Sequence, residues 1–95
     1  MFFFLIHARP QPGAPSPENI SEAMVKVWVN SEDYQIAEAA AVQRISRRRW
    51  QVIAIEDAID YGESLPQGLN SAQTRLYNDA LIGGIATLYR YSYID

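Results

Sequence analysis

Ninety-five residues, 48% hydrophobic and 20% charged, make the composition of an ordinary globular chain long enough for one domain (1–95) and too short for two. The absence of cysteine excludes disulfides, thiolate metal sites and cysteine nucleophiles, and fits a reducing cytoplasm. A formal charge of −3 argues against non-specific nucleic-acid binding, which draws on positive charge.

Phe2-Phe3-Phe4-Leu5-Ile6 is a short apolar run that reads as a strand with both faces covered. It stops at His7, too early for a secretory core, and nothing approaches the ~20 apolar residues of a membrane span. From Pro10 to Pro17 come four prolines with Gly13 and Ser16 among them. Proline lacks the N–H that a ladder or helix needs, so residues 10–22 read as a Pro-rich loop, with a helical turn conceivable over Ile20–Met24. Ala23 to Val29 alternates, with Val25, Val27 and Val29 on one face and Met24, Lys26 and Trp28 on the other, the pattern of a half-buried strand.

Asn30 or Ser31 offers an N-cap oxygen, and Glu32 and Asp33 suit a first helical turn. The helix is expected to run to about Arg48, with Tyr34, Ala37, Ala41 and Ile45 as a thin apolar stripe. Trp50 to Ile55 reads as the next strand and closes on Glu56 and Asp57. After a loop punctuated by Pro66 and Gly68, Ser71 to Ile82 reads as a second helix, capped by Asn70 or Ser71 and ended by Gly83-Gly84. Ile85 to Ile94 alternates and is rich in tyrosine, so it is expected to be the final strand. The order β-β-α-β-α-β predicts an α+β fold: a ferredoxin-like two-layer sandwich with two helices on one face of a mostly antiparallel four-stranded sheet.

Val27-Trp28-Val29-Asn30, the Ala37–Ala41 stretch, Trp50-Gln51-Val52-Ile53 with Ile55-Glu56, and Tyr77, Ala80, Gly84 and Ile85 together resemble a group of small bacterial proteins of unknown function. The likeness spans roughly residues 24–90 and rests on packing signals. It implies an α+β fold and brings no catalytic residue with it. Toxin-immunity proteins share this size, acidity and architecture, as an analogy of class.

No catalytic constellation and no cofactor motif is visible. The single histidine, His7, with Arg9 close by, stands at the end of the first strand, where a histidine either meets backbone and solvent or acts as a base or anion contact. A lone histidine without cysteines makes a zinc site unexpected. Glu56, Asp57, Asp60 and Glu63 read as a solvated acidic strand end that lacks the spacing of a calcium loop. Arg44, Arg47, Arg48 and Arg49 sit where cations complement the negative end of a helix.

The aromatic residues say more. If both helices cover the valine face, Met24 and Trp28 stand on the open face, while Tyr89, Tyr91 and Tyr93 line one face of the last strand. Such patches on small proteins mark interfaces. The expectation is therefore a cytoplasmic, non-catalytic binding module, homodimeric through an aromatic sheet face or the final strand, with an unidentified protein as a further partner and neither nucleic acid nor membrane. Two alternatives stand beside it. One is a small-molecule sensor or enzyme whose cavity forms between paired sheets, with His7, Arg9 and Glu56 as its polar groups; the other is an immunity-like protein that binds a toxin.

Overall fold

The computed structural model describes residues 1–14 and 19–93; most of the Pro-rich segment's core, residues 15–18, and the end of the expected final strand, residues 94–95, lie outside them. The elements follow the expected order: β1 (Phe2–Pro10), β2 (Ile20–Val29), α1 (Tyr34–Arg47), β3 (Trp50–Asp60), α2 (Ser71–Gly83) and β4 (Ile85–Tyr93). The four strands form one antiparallel sheet in the order β3-β1-β2-β4. The β1–β2 hairpin occupies its centre, with Phe2 opposite Val29 and Ala8 opposite Ala23. The crossover through α1 joins β2 to β3 around the intervening β1.

Several boundaries differ from those the sequence suggests. Ile20 opens β2, so the region assigned to loop or helical turn is paired strand. Asp33 caps α1, accepting the Ile36 N–H at 3.0 Å, two or more residues beyond the expected Asn30 or Ser31. β3 runs on to Asp60, taking Glu56 and Asp57 into the strand because β1 offers partners as far as Phe2. The second helix is capped as expected. Asn70 Oδ1 accepts the Gln73 N–H while Gln73 Oε1 accepts the Asn70 N–H, a reciprocal capping box. Gly84 closes the helix at φ +92°, a left-handed conformation that glycine adopts without Cβ strain.

The layering is the main departure. Ala37, Ala41 and Ile45 of α1 pack on Phe2, Phe4, Ile6, Ala8, Val25, Val27 and Val29. Tyr77 and Ala80 of α2 pack with Trp28 and Ala86, and with half-buried Phe3 and Leu76. Successive side chains of a strand point to opposite faces, so Phe2 and Phe4 lie on one face and Phe3 on the other. The helices therefore flank the sheet. The expectation of two helices on one face, and with it the ferredoxin-like two-layer sandwich, gives way to α1 and α2 on opposite sides. The cause lies in β1 and β2, whose upper ends are apolar on both faces: Phe3 and Trp28 need cover as much as Phe4 and Val27 do.

α1 lies against the sheet on alanines, which keep the two backbones near one another and leave Tyr34 at the margin. Tyr34 is 44% exposed, yet its ring meets Phe2 and Phe4 at centroid distances of 5.7 and 5.8 Å. Farther along the same face, Trp50 from one sheet edge meets Tyr89 and Tyr91 from the other at 5.2 and 5.9 Å. The edges are three strand spacings apart, about 14 Å. The rings can meet only because Ala8 and Ala23, paired on the central strands, leave room above them.

Candidate functional site

Among the described residues, α2 covers the face opposite α1 at its upper end. Below the row Phe3–Trp28–Ala86, the register sets out two rows of mixed polar and apolar side chains: Leu5, Lys26 and Leu88, then His7, Met24 and Arg90. Arg9 and Glu22 follow on the same face. A regular β3 would not bring Glu56 to this surface. Between Leu5 and Ile6 the β1–β3 register shifts, leaving Glu56 without a partner residue. Its carboxylate comes within 3.9 Å of His7 Nδ1.

His7 Nε2 donates to Glu22 Oε2 at 2.8 Å, a diagonal cross-strand contact. The 3.9 Å approach of Glu56 on the other ring nitrogen is too long for a hydrogen bond. A histidine oriented by a carboxylate is half of a general-base arrangement. The other half, a hydroxyl hydrogen-bonded to the free ring nitrogen, does not occur among the described residues.

Of the sequence-derived binding residues, the fold brings His7 and Glu56 together and sets Arg9 on the same face, one row below. Glu22, assigned to the loop in the sequence reading, is the partner that reading missed; its signal was that the alternation of β2 extends back one step from Met24 to Glu22, before a register shift turns Ile20 to α1's face. Lys26 and Arg90 were also missed. They stand diagonally across β2 and β4, since Lys26 opposes Leu88 and Met24 opposes Arg90. Among the described residues neither has a carboxylate within 4.0 Å, because Glu22 turns to His7.

The aromatic interface residues divide. Trp28 is 2% exposed, enclosed by Phe3, Tyr61 and Tyr77 at 5.0, 5.5 and 5.6 Å, so the expectation that it stands on an open face is overturned. The covering helix is the cause. Met24 is half-buried beside His7. Tyr89 and Tyr91 are half-buried on α1's face against Trp50, and Tyr93 is exposed at the end of β4. Arg48, the C-cap of α1, lays its guanidinium over the Tyr89 ring at 4.4 Å, which gives one of the four clustered arginines a structural role.

Burial pushes the Tyr89 phenol above its ordinary range, against the lowering effect of Arg48. The hydroxyl is buried with no hydrogen-bond partner among the described residues, as is Trp50 Nε1. An unpartnered buried hydroxyl costs about 1–3 kcal/mol. Tyr89→Phe is accordingly expected to leave stability unchanged or raise it by about 1 kcal/mol in urea unfolding. A loss of more than that would mean the hydroxyl has a partner in solution.

No helix among the described residues is long and apolar enough to cross a membrane, and no group of three or more His, Asp or Glu there could hold a metal ion. Compared with known proteins, the chain matches no protein-family model, no curated protein and no solved structure. What the residues define is the class: an α+β protein with an open antiparallel sheet whose edges, β3 and β4, have no further strand partner among the described residues.

Proposed function

We propose that the protein is a binding module without chemistry of its own that pairs with a second copy along β4, in a reducing compartment such as the cytoplasm. The observation that carries this is the contrast between the two sheet edges. β3 is blunted as natural edges are: two register shifts leave Ile53 and Glu56 unpaired, and Glu56, Asp57 and Asp60 add like charge. β4 has fewer of these devices, with a single shift at its far end, opposite Ser92 and Tyr93. It pairs with β2 without a shift from Tyr91 to Ile85, contains neither proline nor glycine, and carries one charge, Arg90.

A two-fold axis at Tyr89, the middle residue of β4, pairs the strand over its whole length. Ile85 then opposes Tyr93, Thr87 opposes Tyr91, and Leu88 opposes Arg90 of the second copy. Moving the axis to Arg90 would set two guanidinium groups against each other, which disfavours that register. Tyr93, 64% exposed, and Leu88, 40% exposed, would gain cover. Of the interface residues expected from the sequence, Tyr89, Tyr91 and Tyr93 keep that role in this reading and Trp28 does not.

Light scattering on a size-exclusion column over a range of concentrations tests the pairing, and charge substitution tests the register. The wild type is expected to dimerise reversibly. Leu88→Lys places a cation opposite Arg90 of the other copy and should weaken the dimer about tenfold, from two repulsive pairs of roughly 0.5–1 kcal/mol each. Leu88→Glu, which places a carboxylate there, should retain it. A wild type that stays monomeric throughout, or two variants that behave alike, would defeat the reading.

A further inference from the structure

Where α2 meets the open half of the sheet, a cleft of about 180 Å³ is left between the helix's first turn and β2 and β4. Phe3, Trp28, Leu76 and Leu88 give it an apolar interior, and Lys26 and Arg90 stand at its sheet side. We infer that this cleft binds a small organic anion: a carboxylate held by Lys26 and Arg90, attached to a flat apolar body lying against Phe3 and Trp28.

Three features of the cleft lead to that ligand. Two cations one diagonal step apart repel each other, and among the described residues neither has a carboxylate within 4.0 Å, in a chain that carries more acidic than basic residues. An anion between them removes that repulsion and gains charge-assisted hydrogen bonds. The volume suits one aromatic ring with its substituent, since a cavity of about 150 Å³ accommodates benzene. The lining, mostly hydrophobic with a few convergent polar groups, is that of a small-molecule site. All of the lining comes from one copy of the chain, but Leu88 and Arg90 also lie on the edge proposed to pair, so Lys26→Met on β2, away from that edge, separates ligand binding from the pairing of β4.

Benzoate is the probe, with benzyl alcohol as its neutral counterpart, and the readout is the pair of tryptophan indole N–H resonances in ¹⁵N-labelled protein. Trp28 lines the cleft, while Trp50 packs on the α1 side of the sheet and serves as an internal control. Benzoate is expected to shift the Trp28 resonance to saturation, with a dissociation constant on the order of 1 mM for so small a ligand, and to leave Trp50 in place. Benzyl alcohol should bind at least about tenfold more weakly. Lys26→Met and Arg90→Met should each lose about tenfold in affinity, and either variant suffices if the other fails to fold. The inference is overturned by an unsaturable response, by equal binding of the alcohol, by equal movement of Trp50, or by folded variants that bind as the wild type does.

Discussion

Trp50→Ala is expected to cost about 3–5 kcal/mol, the largest loss from any single truncation on the α1 side of the sheet. The indole is 1% exposed and meets Tyr89 and Tyr91 above Ala8 and Ala23. Those alanines cannot fill the space it leaves, and the sheet between them is too rigid to collapse into it. The two tyrosines, half-buried on an edge strand, would lose their main partner. Urea unfolding followed by circular dichroism measures the effect; for a domain of this size each kcal/mol also lowers the melting temperature by about 4–8 °C. A loss under about 1 kcal/mol would mean that the three rings do not pack together in solution. Set beside the near-neutral Tyr89→Phe, the result separates the packing of these rings from their hydrogen bonding.

Trp28→Ala should be comparably costly, about 3–5 kcal/mol, with a different spatial signature. On the side of the sheet covered by α2, the buried cluster consists of Met1, Trp28, Tyr77, Ala80 and Ala86. Trp28 is the piece of the sheet that Tyr77 contacts edge-on at 5.6 Å. Without it α2 keeps few apolar contacts and should loosen before the rest of the molecule. Hydrogen exchange is therefore expected to accelerate first in α2, while the amides of β1 and the α1 helix retain their protection. Uniform acceleration across the chain would show instead that α2 is integral to a single cooperative unit. Had Trp28 stood on an open face, the same substitution would have weakened association and spared the fold.

Much of the chain could be read locally. The order of the six elements, the alanine stripe of α1, the Asn70 cap and the glycine end of α2 all follow from periodicity and short-range chemistry, which act within a turn or two of helix. The displaced boundaries share one cause. Ile20–Glu22 and Glu56–Asp60 have modest strand character of their own and become strand because a long neighbour offers them partners. The polar cluster was half legible. His7 and Arg9 share a face by simple alternation, but Glu56 joins them through a register shift that no local pattern encodes, and Glu22 joins them from the facing strand of the hairpin.

By itself the sequence determined the class of fold, the identity of its strands and helices, and the exclusion of disulfide and thiolate chemistry, since these depend on composition and on periods of two and 3.6 residues. Only the tertiary structure decided which face each helix covers, and with that the fate of the aromatic residues. The clue was present in Phe2-Phe3-Phe4-Leu5-Ile6, a run apolar on both faces, yet such a run says that both faces need cover without saying what supplies it. Burial of Phe3 and Trp28 drew α2 to the second face. That single placement buried the expected interface tryptophan, left β4 as the unguarded edge, and opened the cleft beside Lys26 and Arg90.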